Sequence, residues 1–446
     1  MSLLEQQEFL AHQTTLSGRW EEALSATNHH CVVISAGTNQ NYFLDDQAPP
    51  FRPNPHFAQF FPDRNSEHCE LVLLPGNKPR LLFYQPADYW HLPPAIPRWA
   101  ETCFDLEVHN TPESLGAARD GYLKGQNNVA HIGPTPLSAG SHVSAHNPAD
   151  LIAHLDFLRS QKTPFEVAAI RQATSHAVTG HVAAKQAFDA SACEYEIYMQ
   201  FLAATGNTAG ELPYSAIVAL NEHAGVLHYQ HYDHSRPPAH LSFLIDAGAS
   251  HLGYASDITR TYSGATAPAE FAELIRLLDL EQLALIDGIR VGQPYEAMHT
   301  NMIERIAGVL VNCGVLRCSL DQAITEQLAD PFMPHGLGHL IGLQTHDVGG
   351  QQANVSGTPA PPSERFPALR LTRPLETDSV FTIEPGIYFI PLLLDELRAT
   401  SAPINWTLVD ALLPCGGIRI EDNIWLTDAG AVNLTREAFA NRGATA

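Results

Sequence analysis

The stretch Phe243–Tyr262, FLIDAGASHLGYASDITRTY, constrains this chain more than any other. Two short apolar runs flank a Gly-containing turn, which is the pattern of a β-hairpin. Each run carries an acid where a strand should carry something apolar: Asp246 follows FLI, and Asp257 precedes ITRTY. A turn centred on His251–Leu252 sets the two acids directly opposite each other. Opposed residues share a sheet face with Cβ atoms about 5 Å apart. Two carboxylates that close resist burial unless they share a proton or a cation sits between them. The hairpin alone leaves three readings open: a shared proton, two acids on a wet face, or a cation site.

The surrounding chain divides in two. Up to about residue 160, strands such as CVVIS, CELVLL and RLLFY alternate with helical segments, the pattern of an α/β domain. An amphipathic helix is expected over residues 1–30, and DYWHLPPAIPRWA reads as a surface connection or interface. Asp45 and Asp46 read as turn-capping residues. At Thr163–Glu166 a capping box with Pro at the first helical position opens a long helix to about Ala190, with a domain boundary just before it. EYEIYMQFLAATG, 268–290 and 295–313 are further helices. LPYSAIVALNEHAGVLHY reads as two strands, and loops and strands return from 331. The second half is therefore α+β. SGTPAPPSERFPA (356–368) reads as the least ordered stretch.

With 446 residues, 45% of them hydrophobic, the chain has ample core for two or three domains. No window approaches the ~20 apolar residues of a membrane span, and the acidic N-terminus lacks the basic start of a signal peptide. A formal net charge of −23 disfavours nucleic acid and anionic membrane as partners. The seven cysteines form no CxxC pair and read as reduced thiols in the cytoplasm.

Three further segments carry the chemistry. PHGLGHLIGLQTHDVGG (334–350) holds His335, His339 and His346. The spacing of the first two matches a zincin helix, but Gly336 and Gly338 argue against a helix and the HExxH glutamate is missing. Glycines beside histidines let the backbone pass close to a ligand. VFTIEPGIYF ends an apolar strand on Glu384, and GGIRIEDNIWL reads as a strand with Glu421 inside it. Each acid alone could sit at an edge in water, or pair Arg419 with Glu421. Four strand-embedded acids and a Gly-flanked histidine together point to a cation site. Asp246, Asp257, His339, Glu384 and Glu421 form a mostly oxygen ligand set, suited to manganese, cobalt or zinc. Four negative charges balance two divalent ions, as in hydrolases whose ions sit about 3.5–4 Å apart.

These residues sit in motifs that resemble the pita-bread metallopeptidases, and within them the bacterial Xaa-Pro dipeptidases, or organophosphorus acid anhydrolases. NYFLDD, DYWH, LPYSAIVALNE, LHY, FLIDAGA, DITRTY, PHGLGHLIGLQTHDVGG, LRLTR, VFTIEPGIYFI, INW and GGIRIEDN carry the resemblance across nearly the whole chain. It implies an α/β N-terminal domain (1–160), serving dimerisation and part of the substrate pocket, and an α+β pita-bread catalytic domain (161–446). The implied activity is hydrolysis of Xaa-Pro dipeptides by a hydroxide shared between two metal ions, Mn2+ first and Co2+ or Zn2+ next, with organophosphate turnover as a side activity. Aminopeptidase P, acting on longer peptides, is the alternative.

The resemblance also assigns roles. Asp257 and Glu421 bridge the ions, Asp246 completes one, and His339 and Glu384 complete the other; Glu384 also takes the water's proton. His346 and His228 contact the scissile carbonyl, and His335 lines the pocket. Arg370 binds the dipeptide's free carboxylate, while Arg373, three residues on, faces away. Arg419 is grouped with the substrate residues and holds a ligand carboxylate. Tyr214 and Tyr295 are pocket walls or packing residues. Asp46 reaches a partner subunit's site, which implies a homodimer. Residues 391–415 match an insertion of the bacterial group. No ligand position departs from the family pattern, whereas 100–160 and the interior of that insertion match poorly.

Overall fold

The computed structural model describes residues 3–137 and 141–444, with side chains from Gln7 onward. The chain forms two compact units. The first runs to Arg159 and includes Thr163–Glu166 and Ala353–Thr358. The second comprises Ser160–Lys162, Val167–Gln352 and the chain from Pro359. No described helix is long and apolar enough to cross a membrane.

The first unit is built on a six-stranded mixed sheet. Its order is Asp105–His109, Arg80–Tyr84, Glu70–Leu73, Cys31–Ser35, Val129–Ile132 and Ala145–His146. The central strands are buried along nearly their whole length and are mostly apolar, with Glu70 and His131 as buried exceptions, as expected where both faces are covered. Val33, Val72, Leu82 and Val129 pack on Leu115 and Leu123 of the helix Pro112–Leu123. Thr111 caps that helix, accepting from the Ser114 amide. The N-terminal helix spans Leu3–Ala26; the first two residues of its expected range lie outside the described residues. Asp45 accepts from the Gln47 amide at 3.1 Å and so closes a turn.

The second unit sets long helices, Pro164–Asp189 from Val167 onward, Glu194–Thr205, Ala269–Asp287 and Tyr295–Asn312, with small antiparallel sheets. One sheet orders Thr259–Ser263, Ser242–Asp246 and Ile217–Leu220. A second orders Val380–Ile383, Asp422–Thr427 and Gly430–Asn433, and a third pairs Gly386–Tyr388 with Gly417–Arg419. Leu274, Leu278, Met302 and Ile306 of the paired helices share one apolar core with Phe381, Ile383, Ile418 and Ile420. The segments leading to Glu384 and Glu421 are thereby backed by this core.

Several expectations change. The hairpin turns at Leu252–Gly253, both with positive φ, so Asp246 lies opposite Thr259. Asp257 is two residues before Thr259, hence diagonal to Asp246 on the same face. LPYSAIVALNEHAGVLHY contains one strand, Ile217–Leu220; Asn221–Gly225 is a 3-10 turn instead of a second strand. Glu421 is not inside a strand: it sits at the break between Gly417–Arg419 and Asp422–Thr427, bridged to Thr259. The 356–368 stretch is pinned, with Arg365 gripping Asp330 through two 2.9 Å bonds and Phe366 packed edge-on against His299.

Candidate metal centre

Backbone pairing fixes the acids before any ligand enters. The Glu421 amide donates to the Thr259 carbonyl at 3.0 Å, joining the hairpin to the Glu421 break. The Glu384 amide donates to Leu337 at 2.8 Å and the Thr382 amide to His339 at 2.9 Å, so the histidine segment runs along the strand that ends in Glu384. Gly338 is required here: a Cβ would overlap the Thr382 carbonyl and the Tyr295 hydroxyl. The glycine thus serves close packing on the neighbouring strand rather than on a ligand.

His339 Nδ1 lies 3.0 Å from the Leu340 carbonyl. A carbonyl only accepts, so Nδ1 carries the proton and Nε2 presents its lone pair. Nε2 lies 3.5 Å from Asp257, 3.8 Å from Glu384 and 3.9 Å from Glu421. Those distances exceed hydrogen bonds, while the ligand atoms of Asp257, His339 and Glu421 all lie within 4.8 Å of one another. Lone pairs and carboxylates converge there, and Glu421 Oε1 is buried without a hydrogen-bond partner. An orphaned buried carboxylate oxygen is costly without a cation. The residue set therefore fits a divalent metal.

Electrostatics says the same. Burial, then the Asp246 charge, pushes the Asp257 carboxyl well above its usual range. Burial, then Asp257, does so for Glu421. Glu384 is pushed up to about 8 by burial and then Glu421. The next residue behaves oppositely: burial works against Asp422, but Arg260 and Arg436 hold it down to about 2. Arg260 donates to it at 2.7 Å, and Arg436 and Asn433 each at 2.8 Å.

Tyr214 donates its hydroxyl across both hairpin acids, to Asp246 at 2.8 Å and to Asp257. Arg419 Nη2 donates to Asp246 at 2.7 Å, and its Nη1 donates to the Tyr388 hydroxyl at 2.8 Å. That hydroxyl lies 2.9 Å from His335 Nε2. The His335 Nδ1 is 3.8 Å from Glu384. Burial, then Arg419, pushes the His335 imidazole down to about 3. His346 packs edge-on to His339 with ring centroids 4.5 Å apart. Burial, then His339 and Arg370, pushes it down to about 4, with His228 adding to the effect. His228, His346 and Arg370 are all exposed.

Other residues are placed apart. Tyr295 is fully buried and donates to the Thr382 carbonyl at 2.7 Å, so it braces the Glu384 strand and is not a pocket wall. Arg373 is buried and pairs with Glu376 at 2.8 Å, whereas Arg370 is exposed; the segment joining them is irregular rather than a strand. Asp46 lies in the first unit, on an exposed loop, where it accepts from Gln47. Residues 391–415 form two helices, Pro391–Arg398 and Trp406–Leu412.

Sequence reasoning missed Gln282, Tyr388, Asp422 and Arg260. Gln282 is fully buried on a helix and donates to the carbonyls of Ile383 at 2.8 Å and Ile420 at 3.1 Å. These are the residues immediately before Glu384 and Glu421. A glutamine within an otherwise apolar helix face was the available signal.

A buried carboxylate and imidazole cluster on small antiparallel sheets backed by helices defines a metal-dependent hydrolase. Residues 168–428 match the model of metallopeptidase family M24, and residues 7–157 match that of the Xaa-Pro dipeptidase N-terminal domain. The chain belongs to metallopeptidase family M24 and is a metal-dependent peptidase. It is 43% identical over 436 residues to a Xaa-Pro dipeptidase of Xanthomonas campestris, covering 96% of this chain and 97% of that protein. A Xaa-Pro dipeptidase of Escherichia coli O81 is 42% identical over 436 residues with the same coverage. Among solved structures, aminopeptidase P from E. coli with the inhibitor Pro-Leu superposes with a TM-score of 0.74 at 22% identity, covering 97% of this chain and 95% of that one. Proline aminopeptidase P II from Yersinia pestis gives 0.71 at 22%, covering 97% and 96%. The pita-bread fold expected from the sequence is the fold observed.

Proposed function

We propose that the protein hydrolyses Xaa-Pro dipeptides at a centre of two divalent ions, with manganese as the native metal. The observation that carries this reading is the convergence of Asp257, His339, Glu384 and Glu421, with Asp246 tied to Asp257 through Tyr214. Four carboxylates match the charge of two divalent ions. When bound, such ions lower the pKa of water and polarise a carbonyl.

This chain's own residues supply the rest. Glu384 is the proton acceptor in this reading, placed at the end of the Val380–Ile383 strand beside His339. His346 and His228 face the scissile carbonyl in this reading. Arg370 receives the free carboxylate one residue beyond the scissile bond; a longer peptide has no charge there. Arg419 keeps Asp246 oriented. Proline in the leaving position offers no N–H, so ring shape and the terminal carboxylate decide recognition.

The catalytic domain covers 161–446 in this reading. The domain over 1–160 completes the pocket of a second copy through Asp46, in a cytoplasmic homodimer. In support, Phe43 and Leu44 beside it are 92% and 90% exposed, side chains that a partner would cover. Aminopeptidase P activity is the competing reading, and Arg370 weighs against it. Organophosphate turnover would be a side reaction of the same centre.

The test is hydrolysis of a neutral Xaa-Pro dipeptide by chelator-stripped protein, with and without manganese, beside the same peptide extended by one residue. Manganese-dependent cleavage of the dipeptide alone supports the reading. Cleavage of both moves the protein to aminopeptidase P. Cleavage of neither, with metal bound, refutes the substrate assignment.

A further inference from the structure

We propose that Lys162 is a positioning residue for His346, acting through Asp347. The inference rests on the role given above to His346 at the scissile carbonyl.

Lys162 Nζ lies 2.9 Å from Asp347 Oδ2, and each side chain is only 1% exposed. Burying two opposite charges is expensive, and well-packed apolar residues usually hold a fold as well or better. A buried ion pair is therefore weak as a stability device but strong as a geometric one. Its location gives the geometry a purpose. Asp347 directly follows His346 in sequence, and its Oδ1 accepts from the Val348 amide at 3.0 Å.

The loop around it is closed at its base. The Asp347 amide donates to the Leu340 carbonyl at 2.8 Å, and the same carbonyl takes His339 Nδ1 at 3.0 Å. One acceptor thus fixes both the metal-side imidazole and the residue after His346. Gly342 lets the loop fold back: a Cβ there would overlap the Asp347 carboxylate and press on Lys162 Cε at 2.9 Å.

The other end of Lys162 is also anchored. Its amide donates to the Asp378 carbonyl at 2.8 Å, and Gln161 bridges to Ser379. Ser379 leads directly into Val380–Ile383, the strand that ends at Glu384. Lys162 therefore spans the strand of the proton acceptor and the loop of the carbonyl-facing histidine. Displacing a catalytic group by about 1 Å can cost on the order of a hundredfold in rate.

The experiment is steady-state hydrolysis of a Xaa-Pro dipeptide by the full-length, manganese-loaded protein. The variants are Lys162→Met, His346→Ala, both together, and the neutral pair Lys162→Met/Asp347→Asn, each with metal content and thermal midpoint recorded. Lys162→Met is expected to lower kcat about tenfold or more while KM and metal content hold. In the His346→Ala background the same substitution should change kcat by less than about twofold, because the two act as one unit. The neutral pair should regain thermal stability yet keep the low kcat, which separates positioning from folding even where Lys162→Met alone folds poorly. Parental kcat in Lys162→Met or in the neutral pair, or an equal loss in both backgrounds, would overturn the inference. Parental kcat in His346→Ala alone would instead remove the role of His346, and this inference with it.

Discussion

Arg419 and Asp246 are joined by a 2.7 Å hydrogen bond from a guanidinium whose other arm is taken by Tyr388. Asp246 is thereby held at a fixed angle toward Asp257. Arg419→Met is expected to weaken manganese binding roughly 10–100-fold, the usual effect of removing the residue that orients a ligand. Calorimetric titration of metal-free protein checks this; unchanged affinity would show that Asp246 needs no such support.

Metal-free protein should lose stability as pH rises toward 8. A carboxyl whose folded pKa is raised binds protons more tightly in the folded state. Its unfavourable effect grows from the unfolded value, 4.5 for Glu384, up to the folded value of about 8. Asp257 and Glu421 shift in the same direction. His299, His335 and His346 have lowered pKa values, so their effect has the opposite sign, but it is complete above pH 6.5. Between pH 6.5 and 8 the carboxylate effect stands alone. Thermal melts with and without manganese test it: the metal-free midpoint falls over this window and the metal-loaded one does not.

Glu421→Gln separates stability from activity. It removes one charge from the cluster, so metal-free protein at pH 8 should melt at a higher temperature than the parent. Activity with manganese should fall by about a thousandfold or more, since several kcal/mol of transition-state stabilisation depend on the intact ligand set. A variant that melts lower without metal would contradict the repulsion inferred for the cluster.

Arg370→Ala should cost about 10- to 150-fold in kcat/KM on a Xaa-Pro dipeptide, the worth of one charge-assisted contact. The same substitution should change hydrolysis of the dipeptide amide little. Equal losses on both substrates would leave Arg370 without its carboxylate.

Gln282→Leu should destabilise the fold by roughly 2 kcal/mol or more, because the carbonyls of Ile383 and Ile420 lose a buried donor. Denaturant unfolding of metal-free protein measures it. A cost near zero would mean that the two strands need no common tie.

The acids that cluster around His339 were legible because their signal is local: a charge in an apolar run reports itself. The hairpin even survived a misplaced turn, since moving the centre from His251–Leu252 to Leu252–Gly253 shifts partners by two residues and leaves each side chain on its face. The supports were not legible. Gln282, Tyr388 and the Lys162–Asp347 pair work through partners tens to hundreds of residues away. Asp422 was hidden by Glu421 beside it, since sequence does not say which of two adjacent acids faces arginines. Tyr295 suited a pocket wall or the core equally well, and only its bond to Thr382 decides.

The Leu340 carbonyl accepts from both the His339 imidazole and the amide after His346, so in the proposed reading it would join metal and peptide binding in one thermodynamic cycle. A metal that draws on His339 changes the setting in which His346 meets a peptide. Linkage of this kind is reciprocal. Whatever factor manganese adds to the affinity for a dipeptide analogue, the analogue must return to manganese. In the proposed reading, a factor above one would mean that a dipeptide analogue raises the affinity for manganese by the same amount.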